Sequence, residues 1–397
     1  MPPTPMTVAD LIASRRPGHG LARDFYVRED IFARDLELLL GRWTCAGHVS
    51  SLPAVGDWLT VRIGPEEAIV VRGEDGELRA FANVCRHRGS RICTEKQGHA
   101  AVLTCPYHAW SYHLDGRLRA AREMPPGFDA AAHSLTPLPV TVIGGLILIS
   151  FATDPPSLAD AAPALAALAE HYVWPTAKIA ARKSYGVAAN WKLVMENYNE
   201  CYHCAPAHPE FSILHTLARP QARKLRNRED SRADGAPICD FEAWGSEPDG
   251  FEVARVMRSA LAPPNLSGSL DGKPLAPAMA PFDGACVFAE LGFLSAFLAY
   301  SDHGVLYRFI PIDTHETQME VIWLVDGDAV EGRDYDVHAL TWLWDVTSLA
   351  DKQIIERNQA GVASRAYRPG PFSLMEPGTL QYLDRYLGEM ARLEAAR

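Results

Sequence analysis

An α+β fold in two parts, a small antiparallel β domain followed by a larger domain of antiparallel strands and helices, is predicted by three features of this 397-residue sequence. Short β-rich runs punctuated by Gly, Pro and Asp turns crowd residues 43–151. The break Asp154-Pro155-Pro156 then gives way to an Ala/Leu-rich helical pattern. Longer strand-like runs and two long helical patterns fill the last third of the chain.

Composition sets the class. With 48% apolar and 22% charged residues, the chain can bury the cores of two domains and does not have a disordered composition. A formal net charge of −11 argues against nucleic-acid binding as the main task, because no basic stripe is available for phosphates. An acidic surface suits a cation, or a basic patch on a redox partner. No apolar run approaches the roughly 20 residues that span a bilayer; the longest, residues 140–151, is interrupted by Gly144-Gly145. Met1-Pro2-Pro3-Thr4-Pro5-Met6 lacks the basic and apolar regions of a signal peptide, so a cytoplasmic protein with no membrane partner is expected. Eight cysteines are too sparse for a disulfide scaffold, and in a reducing compartment close Cys/His pairs point to metal.

Residues 1–40 read as N-terminal helices, with apolar positions on one side of residues 31–39 and Asp30 as N-cap. Residues 41–155 form the β domain, with strands at 58–63, 68–72, 78–84 and 146–151 between turns such as Gly73-Glu74-Asp75-Gly76. Residues 156–397 form the second domain. It opens with a helix near 158–172, a strand over 180–187 and a helix over 191–204, then passes through a loop-dominated Gly/Pro/Ser-rich stretch over 219–284. Strands follow at 287–290, 297–300, 305–310 and 319–325, and helices near 335–359 and 378–396 end the chain.

Cys85-Arg86-His87 and Cys105-Pro106-Tyr107-His108 each place one thiolate and one imidazole in a loop after a predicted strand. A Rieske 2Fe-2S centre binds one iron through two cysteines and the other through two histidines, so two such loops supply its four ligands. Arg86, Arg88 and Gly89 bring positive charge and backbone donors to an anionic cluster. Pro106 and Tyr107 stiffen the second loop, and Trp110 and Tyr112 are placed to shield it. Two cysteines and two histidines are also a zinc set, although zinc fingers group Cys with Cys and His with His. Cys45, Cys93, Cys239 and Cys286 have no partner at metal spacing and read as ordinary buried thiols.

Further on, Glu200-Cys201-Tyr202-His203-Cys204-Ala205-Pro206-Ala207-His208-Pro209 carries two thirds of a 2-His-1-carboxylate triad, the open-sided site of non-heme iron oxygenases. Glu200 and His203 share a helix face at i, i+3. His203 and His208 would stand about 140° apart on a regular helix, so their convergence requires a break. Pro206 is expected to supply it, and Pro209 biases His208 toward extended backbone. The carboxylate must come from elsewhere: Asp351 is preferred, with Asp345 on the same predicted helix as its competitor. Cys201 and Cys204 raise a Cys/His zinc alternative, though cysteines at that spacing would face away from His203.

Taken in order, Cys85-Arg86-His87-Arg88-Gly89, Cys105-Pro106-Tyr107-His108-Ala109-Trp110, Asn190-Trp191-Lys192 and Glu200-x2-His203-x4-His208 resemble the catalytic α subunits of Rieske non-heme iron oxygenases, within the aromatic-ring-hydroxylating dioxygenase superfamily. The resemblance covers nearly the whole chain. It implies a Rieske β domain joined to a helix-grip catalytic domain, with the N-terminal helices packed on the latter. It implies Cys85, His87, Cys105 and His108 as ligands of the 2Fe-2S cluster, a mononuclear Fe(II) on His203, His208 and Asp351, and O2 as cosubstrate. In that family the carboxylate ligand lies on a late helix shortly ahead of a Glu and a Gln, which Asp351 with Glu356 and Gln359 matches better than Asp345. It further implies a head-to-tail ring, usually a homotrimer, in which an acidic residue before the first iron histidine bridges to a cluster histidine of the neighbour. Glu200 would take that part opposite His108. Many ring-dihydroxylating members carry Asp there, and Glu is found among members acting on quaternary amines. The run from Asn358 to Ser373, with Met375-Glu376-Pro377-Gly378, looks like the branch of glycine betaine monooxygenases and stachydrine (proline betaine) demethylases.

The expectation is a terminal oxygenase component. Electrons from a separate NAD(P)H-dependent flavin/iron-sulfur reductase would pass through His108, Glu200 and His203, and an N-methyl group of a quaternary amine would be oxidised and lost as formaldehyde. A cation needs an aromatic face or an acidic partner, and Tyr307, Phe309, Trp323, Trp342 and Trp344 are the aromatic candidates. The alternative is hydroxylation, dihydroxylation or O-demethylation of an aromatic substrate in an apolar slot built from the same rings. A third reading, an electron carrier using the cluster alone, leaves His203, His208 and Asp351 without a role.

Overall fold

The structure, a computed structural model, describes residues 6–159, 161–214, 255–258, 285–300 and 302–396. The expected loop over 219–284 falls almost entirely outside the described residues, as do Cys239 and the Cys286 side chain. The chain divides into two compact units, Leu39–Ile179 and Met1–Leu38 with Ala180–Arg397.

Helices α1 (Val8–Ala13), α2 (Asp24–Val27) and α3 (Glu29–Leu40) open the chain. A reciprocal cap starts α1: Thr7 Oγ1 accepts from the Asp10 amide, and the Asp10 carboxylate accepts from the Thr7 amide. Helix α3 begins one residue ahead of Asp30. That residue therefore sits in the first turn, where its charge suits the helix dipole and pairs with Arg28 at 2.6 Å, and it is not the N-cap expected.

In the unit Leu39–Ile179 the strands are β1 (Thr44–His48), β2 (Asp57–Ile63), β3 (Glu66–Arg72), β4 (Leu78–Ala82), β5 (Gln97–His99), β6 (Leu103–Thr104), β7 (Ser111–Tyr112), β8 (Leu118–Ala120), β9 (Pro137–Leu138), β10 (Val140–Ile143) and β11 (Leu146–Ile149). They form sheets ordered β5-β2-β3-β4-β9, β1-β11-β10 and β6-β7-β8. The period of two along β3 divides its work. Ala68 and Val70 pack with Leu59, Val61, Ile147 and Ile149, whereas Ile69 and Val71 pack with Cys85, Cys105, Trp110 and Tyr112. One strand thereby ties the general core to both Cys-His loops.

Helix α4 (Ala161–His171) follows the proline break yet stays with this unit. At the β10–β11 turn, a Cβ on Gly144 (φ +58°) would stand 2.0 Å from Ala169 Cβ, so only glycine admits this approach of helix to turn. The compact unit consequently ends at Ile179 and not near residue 155.

The second unit continues with β12 (Lys178–Val187), α5 (Trp191–Tyr198), α6 (Cys204–Ala207), α7 (Pro209–Leu214), β13 (Arg255–Arg258), β14 (Ala285–Leu291), β15 (Ser295–Ala299), β16 (Gly304–Pro311), β17 (Thr317–Val325), α8 (Val337–Val362) and α9 (Pro377–Ala395). The strands form one sheet in the order β12-β17-β16-β15-β14-β13, with β13 to β17 paired antiparallel in succession. In β16, Tyr307 and Phe309 share one face. Arg308, on the other, donates to Glu320 at 2.5 Å. Helix α5 is anchored at its start. The Lys192 ammonium, fully buried, meets Asp35 of α3, whose carboxylate also accepts from Trp191 Nε1 at 3.1 Å and from the Tyr386 hydroxyl at 2.6 Å. A buried ion pair persists only with its remaining lone pairs satisfied, and these two donors from α5 and α9 do that. Among the described residues no helix is long and apolar enough to cross a membrane.

Candidate metal centres

The two Cys-His loops fold alike. In each, the cysteine amide donates to the carbonyl five residues on, Cys85 to Ser90 and Cys105 to Trp110, both at 2.8 Å. The amide four residues on donates back to the cysteine carbonyl, from Gly89 at 2.9 Å and from Ala109 at 3.0 Å. That fourth residue has left-handed backbone in both loops, φ +79° at Gly89 and +58° at Ala109. Glycine adopts it freely, and for alanine it costs about 1 kcal/mol. Cys85 and Cys105 are buried, while His87 and His108 are exposed with their ring centroids 4.6 Å apart. Trp110 stacks on His87 at 4.9 Å, and the Tyr112 hydroxyl accepts from the Arg86 amide at 3.0 Å and lies 3.3 Å from Cys85 Sγ. Both aromatics thus lie against the first loop, whereas His108 of the second is exposed.

Paired inner sulfurs and paired outer imidazoles match the two-by-two ligand division of a Rieske cluster. A single zinc ion would need its ligand atoms gathered around one point. Among the described residues the donors that converge within 4.8 Å are His203, His208 and Asp351, and the four Cys and His side chains of the loops do not.

At the second centre the expected helix over 191–204 stops at Tyr198. Glu200 turns back on the chain: its Oε2 accepts from the amides of Tyr202 and His203, the latter at 3.2 Å, and its Oε1 meets His203 Nδ1. Glu200 and His203 therefore meet through a turn, not along a helix face. Helix α6 is a single turn bracketed by His203 and His208. Pro206 lies inside this first turn, where a missing N–H leaves no hydrogen bond unmade. The break comes instead from residues 199–203 and from His208 itself (φ −131°, ψ 69°), which precedes Pro209.

Helix α8 delivers the carboxylate. Asp351 Oδ1 lies 2.8 Å from His208 Nε2 and 3.2 Å from His203 Nε2. Asp345, six residues earlier and about 120° round the helix, is engaged elsewhere, with Lys183 Nζ at 2.7 Å and the Tyr185 hydroxyl at 2.5 Å. The Glu and Gln that follow Asp351 set its register: Glu356 accepts from the Ala188 amide at 2.9 Å, and Gln359 accepts from the Asn190 amide at 2.8 Å. Cys201 and Cys204 are joined in a disulfide, so the zinc alternative has no free thiolate here.

The electrostatics call for a cation. Burial pulls His203 down, but its hydrogen bonds with Asp351 and Glu200 prevail and hold the imidazole up at about 9. Burial opposes ionisation of Asp351, yet its hydrogen bonds with both histidines keep the carboxyl below its ordinary range. Two imidazoles and one carboxylate oxygen, with no thiolate, are the donor set of non-heme ferrous sites. A metal ion must displace the His203 proton. Anaerobic titration of the metal-free protein with cobalt(II) is expected to show affinity rising about tenfold per pH unit toward pH 9 and levelling above it; a flat profile would remove His203 from the ligand set.

Aromatic rings extend from this centre. Phe211 lies 6.5 Å from His208 and 5.8 Å from Trp344; Trp344 is 6.3 Å from Tyr307, which is 4.9 Å from Tyr198. Of the five aromatic candidates, Tyr307, Phe309 and Trp344 belong to this wall, and Trp342 is exposed. Tyr198, Phe211 and Tyr300 had no signal of their own, because they come from separate elements.

Comparison with known proteins follows the same division. The family model described as "Rieske [2Fe-2S] domain" matches residues 42–141, and "Ring hydroxylating alpha subunit (catalytic domain)" matches residues 175–391. The chain is 38% identical to a glycine betaine monooxygenase oxygenase subunit of Pseudomonas aeruginosa, over 98% of this chain and 93% of that one. It is 37% identical to the corresponding subunit of Chromohalobacter salexigens, over 98% and 89%. Among solved structures it is similar to a quaternary ammonium Rieske monooxygenase in complex with its substrate L-carnitine, with a TM-score of 0.71 and 25% identity, covering 97% of this chain and 99% of that one.

Proposed function

The chain belongs to the ring-hydroxylating α subunits of Rieske non-heme iron oxygenases, and from that membership we propose that it oxidises an N-methyl group of a betaine-type quaternary amine. The N–CH3 group takes up one oxygen atom to give N–CH2OH. The other oxygen atom leaves as water with two electrons and two protons, and the carbinolamine then releases formaldehyde and a proton, leaving the tertiary amine. The two centres of the family, when bound, supply electron storage and oxygen activation.

The residues are assigned as follows. Cys85, Cys105, His87 and His108 would hold the cluster, and His203, His208 and Asp351 the mononuclear iron. Glu200 keeps the His203 Nδ1 proton on its own side, which leaves Nε2 free for the metal. The observation that carries the substrate class is the ring wall beside the triad. A quaternary ammonium has no N–H to donate, so its recognition falls to π faces, and these rings offer them in a buried setting. Electrons come from a separate NAD(P)H-dependent reductase, and the chain works as a homotrimer in which Glu200 faces His108 of the neighbouring subunit.

With a reductase supplied, glycine betaine, proline betaine or carnitine is expected to yield one formaldehyde per O2 consumed. Formation of a phenol or a cis-diol from aromatic substrates, with no formaldehyde from any betaine, would replace this reading with the aromatic one.

A further inference from the structure

Resting on that reading, we propose that His303 determines substrate specificity by donating from Nε2 to the carboxylate of a zwitterionic betaine. The residue sits in the turn between β15 and β16, closed by the Tyr300 amide donating to the His303 carbonyl at 2.8 Å. Its side chain is only 3% exposed, and its Nδ1 meets Asp302 Oδ1 at 2.9 Å. One face of the imidazole stacks on Tyr300 at 4.6 Å with planes 3° apart, and Tyr300 lies 5.9 Å from Trp344 of the ring wall. Asp302 and Tyr300 thus fix the ring, and the atom left over is Nε2. It is buried and, among the described residues, has no hydrogen-bond partner.

A buried polar nitrogen without a partner is unfavourable and calls for a reason. Bound substrate supplies one. Trp344 stands seven residues before Asp351 on α8, about 10 Å along its axis, so the ring contacts lead from the metal trio toward His303. A betaine with a methyl group at the trio and its ammonium against the rings would extend its carboxylate along that line. With a carboxylate at each nitrogen, the imidazole donates to both.

The test compares glycine betaine with tetramethylammonium, which keeps the cation and lacks the carboxylate. Binding is measured by calorimetry on cluster-containing protein freed of mononuclear iron, and KM on the complete enzyme. In His303→Asn, which places its amide near Nδ1, the preference for glycine betaine over tetramethylammonium is expected to fall about tenfold to a hundredfold in both measurements. His303→Gln, whose amide nitrogen falls near Nε2, should recover part of it, and Asp302→Asn should shift the same ratio in the same direction. Equal losses for both ligands, or no change in the ratio, would overturn the proposal. If the wild type bound glycine betaine in a His303-dependent way but released no formaldehyde, the demethylation reading would fail and this one would stand; if it bound neither ligand, both would fall.

Discussion

Asp351→Ala is expected to keep the visible absorbance of the 2Fe-2S cluster, to lose the mononuclear iron and to release no formaldehyde above background. Asp345→Ala is expected to keep both iron and turnover. The contrast follows from which way the two side chains face on α8. The Asp351 oxygen is shared by His203 Nε2 and His208 Nε2, so its removal deletes the one oxygen donor of the trio and the charge that balances a cation there. Loss of an outer partner of a metal ligand already lowers affinity about 10–100-fold, and loss of a ligand itself should exceed that. Asp345 pairs with a half-exposed Lys183 and with the Tyr185 hydroxyl, contacts together worth about 1–2 kcal/mol of stability. Metal analysis and thermal melting of the two variants separate these effects. Iron lost from Asp345→Ala and kept in Asp351→Ala would reverse the assignment.

How far the sequence discloses such a site depends on how local its parts are. The four loop donors are legible because each Cys-His pair lies within four residues, and the strand ahead of each loop marks where it begins. Asp351 is different. Its spacing alone does not separate it from Asp345, and the discriminating pattern, a Glu and a Gln further along, has its physical meaning only in the structure, where Glu356 and Gln359 take the amides of Ala188 and Asn190. The end of α5 at Tyr198 is not legible either. What stops the helix is the Glu200 carboxylate accepting two backbone amides, a competition that residue periodicity does not register. Gly144 against Ala169 is likewise a product of tertiary approach.

That same carboxylate sets the second large effect. Glu200→Gln is expected to keep the cluster and the mononuclear iron yet lose about 10–100-fold in turnover. Glu200 has acceptors on both sides: Oε2 takes the Tyr202 and His203 amides, and Oε1 takes His203 Nδ1. Glutamine has only one acceptor oxygen. If that oxygen faces the amides, its NH2 meets Nδ1, whose proton must then move to Nε2, and Nε2 is no longer free to bind the metal. If the oxygen faces Nδ1, the metal-binding tautomer survives and the NH2 opposes two backbone donors, which loosens the turn that aims His203. The second arrangement retains the metal, so the loss should appear in the proposed passage of electrons from His108 of a neighbouring subunit through residue 200 to His203. Reductase-driven reduction of the cluster should stay at the wild-type rate while single-turnover product formation slows. The variant also loses one of the two carboxylates that hold His203 at about 9, so the pH above which cobalt(II) affinity levels off should move down. Wild-type turnover with an unchanged pH profile would mean that Glu200 neither bridges nor tunes this histidine.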